Sequence, residues 1–233
     1  MTRLEINETL YLLPSKWNEL TREQLLEFCR IQLLETTEDY RKFLMLSHLT
    51  GLKFKQLEAI PGGALPRVMS CLNFLFQDIW LTINLFGDIG AMKSPEPALT
   101  NFTFAQFLGE TEPYFYSIQT GKWNDVDNLI NSMYNFNGPA ENKKIISAMT
   151  DAEKLAIMTF YNGCSNFIKK KFPAVFTKSE TKTKPDGLEF VRLVNSLNLN
   201  DVSKNEAIKN SNLYEALTFL QGIINKNVEK KRA

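Results

Sequence analysis

The chain carries one histidine, His48, and three cysteines, Cys29, Cys71 and Cys164, among its 233 residues. A single histidine excludes a metal site built on several imidazoles and makes any Ser-His or Cys-His mechanism depend on that one side chain. It lies in "LMLSHLTGL", a leucine-rich helical stretch, where a partly buried structural histidine is expected. The cysteines are odd in number and far apart, with no C-x-x-C pair, so they point neither to a disulfide framework nor to a zinc knuckle. Buried thiols in a reducing compartment are the expectation. Carboxylates pair at Glu110 with Glu112 and at Asp125 with Asp127, but a spacing of two on a helix turns the partners to different sides. "PGGALPR" has the glycines of a phosphate-cradling loop without the G-K-[ST] ending or the dinucleotide pattern. No catalytic, cofactor-binding or metal-ligating set is expected, and the chain reads as a non-enzyme.

Basic residues group at Lys169, Lys170, Lys171, Lys178, Lys182 and Lys184, and again at Lys226, Lys230, Lys231 and Arg232. Phosphate contact would make such lysines bind nucleic acid in a strongly salt-dependent way. The chain as a whole is not basic, at a formal net charge of +1, and it has no arginine-rich reading helix or aromatic stacking platform. Lysines that complement helix C-termini and solvate a linker and a tail explain the clusters better, so nucleic acid is not the expected partner.

The elements that must position these residues are helical. With 44% hydrophobic and 23% charged residues the composition is that of an ordinary globular protein. "ELTREQLLEFCRIQLLE" opens on a capping box, Thr21 with Gln24, and sets Leu25, Phe28, Cys29 and Leu33 on one face. Thr37 starts a second helix with Glu38 and Asp39 at its positive end, a stripe of Tyr40, Phe43, Leu44 and Ser47, and a stop at Gly51. "AIPGGALPR" is a turn, with Pro66 in the first turn of the next helix. The apolar run Leu72 to Phe86, "LNFLFQDIWLTINLF", is too short for a membrane span and reads as a buried helix. "MKSPEPALTN" has two prolines and little periodicity, dividing an N-terminal helical half, 1–91, from a C-terminal half, 102–233, across a linker at 92–101, possible within one continuous domain.

Beyond that linker, Thr103 and Gln106 repeat the capping-box spacing and Pro113 kinks or restarts the helix. Val126, Leu129, Ile130 and Met133 form the inner face of a short helix, and "NFNGPAENKK" is a loop. Thr150 and Glu153 open the best-marked helix, whose core face is Ile157, Phe160, Tyr161, Cys164 and Ile168, with Phe167 at the margin and Pro173 as the stop. A polar linker, Thr177 to Gly187, leads to a C-terminal helical pair. Among the seventeen phenylalanines, Phe102, Phe104, Phe107, Phe115 and Phe136 suit a helical core. Sustained period-two alternation is absent, so the fold class is all-α: an irregular bundle of roughly eight to ten helices with little or no β-sheet. Phe172 and Phe176, beyond the regular helix and beside the linker, are the candidate partner-docking residues, together with Lys169, Lys170 and Lys171. The N-terminal stretch has acidic residues within it and no small-residue cleavage site, which argues against secretion.

The order of four phrases, "LPSKWNELTREQLLEFCRI", "FTFAQFLGETEPYFYS", "AIMTFYNGCSNFIKKKFPAVF" and "NSNLYEALTFLQ", resembles a group of helical tailed-phage morphogenesis proteins described as tail assembly chaperone-like. The resemblance implies a protein of the bacterial host cytoplasm that binds phage structural proteins, the tail tube or the tape measure, without an active site. It also allows self-association. The long apolar N-terminal half, Leu44 to Phe86, departs from that layout and leaves open a permanent virion role as a neck, ring or tail component.

Overall fold

The structure, a computed structural model, describes residues 1–6, 9–60, 65–90, 92–134, 139–176, 189–198 and 201–232. Outside them lie the expected glycine turn before Leu65, Phe136 and the expected linker at 177–187 with Lys178, Lys182 and Lys184; the side chains of 227–232 are likewise not described. The chain divides into two compact units, 1–86 with 149–163, and 87–148 with 164–233. The proline-containing segment at 92–101 therefore lies inside the second unit.

Twelve helices and one two-stranded sheet occur among the described residues, a mostly-α fold. The first unit begins with an antiparallel hairpin, β1 (Thr2–Ile6) and β2 (Thr9–Leu13), in which Leu4 faces Tyr11 and Ile6 faces Thr9. Within residues 1–86 its helices are α1 (Arg22–Gln32), α2 (Glu38–Thr50), α3 (Phe54–Glu58) and α4 (Leu65–Ser70). Local chemistry sets their ends. The Gln24 amide donates to Thr21 Oγ1 at 3.2 Å while Thr21 N–H donates to Gln24 Oε1 at 3.0 Å, completing the box. Thr37 Oγ1 accepts from Tyr40 N–H at 3.3 Å, and Gly51 leaves α2 at φ 71°, a left-handed turn that suits glycine.

Two helix faces differ from expectation. Leu33 caps α1 in an exposed position, and Ile31 is buried instead; in α2 the buried pair is Met45 and Leu46, with Tyr40 exposed. The larger correction is the apolar run. After α4 and a single 3-10 turn at Asn73–Phe76 the chain leaves the helix, and no helix forms from there to Phe86. Its backbone groups are taken by side chains distant in sequence. Trp17 Nε1 donates to the Asp78 carbonyl at 3.2 Å, and Thr82 N–H donates to Asn18 Oδ1 at 3.0 Å. A helix would have reclaimed both groups.

The helix α8 (Asp151–Lys171) starts at the expected box: Glu153 N–H donates to Thr150 Oγ1 at 3.3 Å and Thr150 N–H donates to Glu153 Oε2 at 2.9 Å. Its residues through Gly163 belong to the first unit and the rest to the second. Ile157, Phe160, Tyr161, Cys164 and Ile168 are all buried, as their spacing predicts, and Phe167 is on the margin at 37% exposure.

In the second unit, a π-helical turn at Gln106–Thr111 runs into α5 (Glu112–Gln119). Gln106 N–H donates to Thr103 Oγ1, but the Gln106 side chain donates to the Ser132 carbonyl, so only half of the expected box forms. Pro113 has no N–H to give. The widened turn before it is bound by the Thr111 hydroxyl, buried and within reach of the Gln106 and Phe107 carbonyls at 3.0 and 2.9 Å. Next come α6 (Val126–Met133), with its four expected residues buried, and α7 (Pro139–Ser147), which occupies much of the expected loop because Pro139 opens a helix. The unit closes with α9 (Pro173–Phe176), α10 (Glu189–Asn198), α11 (Asn205–Lys209) and α12 (Leu213–Arg232). Four of the twelve helices have six residues or fewer, which accounts for the excess over the expected number. No described helix is long and apolar enough to cross a membrane.

Two glycines test this packing in opposite directions. A Cβ at Gly163 would lie 2.2 Å from the Leu81 carbonyl oxygen and 2.5 Å from its nitrogen, whereas one at Gly222, exposed within α12, meets nothing within 4 Å. Gly222→Ala should raise stability by ~0.5–1 kcal/mol. Gly163→Ala should lower it by ~3 kcal/mol, because the obstacle is backbone. Urea unfolding of the two variants measures both.

Candidate functional site

The exit of α8, where sequence placed the docking residues, is occupied within its own unit. Lys169 Nζ pairs with Glu112 Oε2 at 2.7 Å, and Ser165 Oγ donates to Glu112 Oε1 at 2.6 Å, so one half-buried carboxylate clamps two successive turns of the helix. Lys170 is exposed; Lys171 Nζ lies 4.9 Å from the centroid of the Tyr214 ring, a cation-π distance. Phe172 is 3% exposed and meets Tyr214 edge to face at 5.8 Å. Its ring is a core group, while Phe176 is half-buried. Pro173 opens the short α9 directly after the end of α8.

Tyr214 in turn donates its hydroxyl to the Ala98 carbonyl at 2.7 Å, and burial pushes that hydroxyl up to about 12. Ala98 and Leu99 both sit at positive φ, 54° and 59°, a left-handed conformation that costs L residues on the order of 1–2 kcal/mol each. Tyr214 and the Asn212 side chain, which donates to the Thr100 carbonyl at 2.9 Å, hold that segment.

The candidate chemical groups do not converge. His48 is exposed in the last turn of α2. Burial pushes the Cys29 thiol up to about 12, opposed by a hydrogen bond with Thr159, and raises Cys164 further, so both stay protonated at neutral pH. Glu110 faces solvent while Glu112 turns inward, and Asp125 accepts from Asn128 Nδ2 at 3.3 Å and from the Ser117 hydroxyl. Among the described residues no group of three or more histidines, cysteines and carboxylates could hold a metal ion.

A concavity lies in the first unit, lined in part by residues of the run that sequence reads as a buried helix. Trp17, Phe74, Phe76 and Trp80 line a groove of about 700 Å³, together with the polar side chains of Lys16, Asn18, Gln77 and Asp78. Its floor is fixed by edge-to-face contacts: Trp17 with Phe28 at 5.4 Å, Trp17 with Phe74 at 6.0 Å, and Phe28 with Phe76 at 5.9 Å. Trp17 itself is buried, and the more exposed Phe74, Phe76 and Trp80 supply the accessible rings. The sequence signal was the density of aromatics in "NFLFQDIW"; reading it as helical hid that three rings open onto one groove.

Phe172→Ala should cost ~3 kcal/mol or more in urea unfolding and Phe176→Ala about a third of that, the reverse of what a shared docking surface would give. A thiol reagent at neutral pH should label the half-buried Cys71 first and reach Cys29 and Cys164 only as the chain unfolds.

Comparisons with protein-family models, curated proteins and solved structures find no match to this chain.

Proposed function

We propose that the chain is a non-enzymatic protein-binding factor of tailed-phage tail or virion assembly, chaperone-like in action, which holds an apolar segment of a tail tube or tape-measure protein before polymerisation. The order of the four phrases supports the phage setting. The aromatic groove of the first unit carries the binding reading. It is concave, its Trp17, Phe74 and Phe76 rings are held by edge-to-face contacts, and its lining also carries the polar side chains of Lys16, Asn18, Gln77 and Asp78. A fixed floor loses little side-chain freedom on binding, so apolar burial at ~25 cal/mol per Å² translates into affinity with a smaller entropic offset. Lys16 and Asp78 in the lining supply charges of both signs that orient a partner segment. The groove replaces the exit of α8 as the docking surface, since Phe172 and Lys169 already have partners in the chain.

Co-expression with the candidate tail components should yield a soluble complex that is absent from mature particles. Trp80→Ala should weaken that complex about tenfold or more, as expected for a central aromatic anchor, while Phe176→Ala leaves it unchanged. Stoichiometric recovery of the chain from purified virions would instead assign a permanent structural role.

A further inference from the structure

A second, open cavity shares Phe76 and Gln77 with the aromatic groove and has a volume of about 390 Å³, within the size range of small-ligand pockets. Its lining belongs wholly to the first unit. Leu75, Leu155 and Met158 make part of it apolar; Arg41 and the amide side chains of Gln32, Gln77 and Asn162 make the rest polar.

Arg41 is the unusual member. Its guanidinium is half-buried and meets only neutral acceptors: Nη2 donates to the Leu34 carbonyl at 2.8 Å and Nη1 to Gln32 Oε1 at a longer 3.3 Å. Its Nε is buried with no acceptor among the described protein groups. The carboxylate in the same lining, Glu38, is taken by Lys42 Nζ at 2.7 Å, and Lys42 also lies over the Phe76 ring at 5.2 Å. Among the described residues, Arg41, Lys42 and Glu38 together carry one net positive charge beside the cavity. A half-buried cation without an anion is costly, and a carboxylate answers it with short, charge-assisted bonds that neutral acceptors do not match. The Asn162 amide makes no hydrogen bond with the described protein groups and is free to donate to the same ligand.

We infer that this cavity is a receptor for a carboxylate borne on a short apolar body, with Arg41 taking the head group in exchange for its long contact to Gln32, and Leu75, Leu155 and Met158 enclosing the tail. A free amphipathic carboxylate and the C-terminus of a polypeptide ending in an apolar residue share this chemistry. The inference does not depend on the proposed phage role.

The test is NMR titration of the isotope-labelled full chain with four probes: octanoate, octanamide, an acetylated peptide ending in leucine, and that peptide's C-terminal amide. At least one acid should shift the Arg41 Nε–H and Asn162 side-chain signals saturably, and its amide should bind about tenfold or more weakly, a difference of ~1.4 kcal/mol. Octanoate binding with or without the peptide assigns the free carboxylate; binding of the peptide acid alone assigns a polypeptide end. Arg41→Gln should abolish the preference for acid over amide, and Arg41→Lys should retain part of it. Should Arg41→Gln not fold, the acid and amide contrast on the unaltered chain decides alone. Equal affinity for acid and amide, or no saturable shift at millimolar concentration, overturns the inference.

Discussion

The first unit depends on one close approach of backbone to backbone, at Gly163. Any side chain there would collide with the main chain of Leu81. A glycine inside a helix ordinarily costs ~0.5–1 kcal/mol relative to alanine; here it lets a non-helical segment lie against the helix. Because that segment keeps its own path, the Asp78 carbonyl is available to the Trp17 indole and the Thr82 amide to Asn18. Those two ties put Phe74, Phe76 and Trp80 at the edge of the unit with their rings facing a common space. The groove and the Arg41 cavity that shares its wall both draw part of their lining from this segment.

Short-range chemistry was legible in the sequence and long-range chemistry was not. The boxes at Thr21 and Thr150, the cap at Thr37 and the stop at Gly51 each involve residues within five positions, so their hydrogen bonds can be read from spacing. The core face of α8 was legible for the same reason. The hairpin was not. Arg3 and Glu5 alternate with Leu4 and Ile6 in β1, but Leu10 and Leu12 project outward from β2 at 59% and 60% exposure and turn its alternation into an apolar run. The run from Leu72 to Phe86 failed for a deeper reason: its apolar residues fit a helical period, while the groups that hold it non-helical lie about sixty residues earlier, at Trp17 and Asn18, and some eighty residues later, at Gly163.

The docking residues illustrate the same limit at a single site. Pro173 correctly marks the end of α8, yet proline reports only that a helix cannot continue. It says nothing of where the chain goes next or of what covers the end. Tyr214, forty-two positions after Phe172, closes over it and reaches on to Ala98, joining three segments of the second unit through one side chain. The strained pair Ala98 and Leu99 persists because hydrogen bonds from Tyr214 and Asn212 fix the carbonyls around it.

The first unit is also discontinuous along the chain: residues 1–86 are completed only by 149–163. During synthesis, the segment around Leu81 must therefore wait for the 77 residues between 86 and 163 before its glycine partner exists. At ribosomal rates that is about four to fifteen seconds, far longer than a helix or hairpin needs to form.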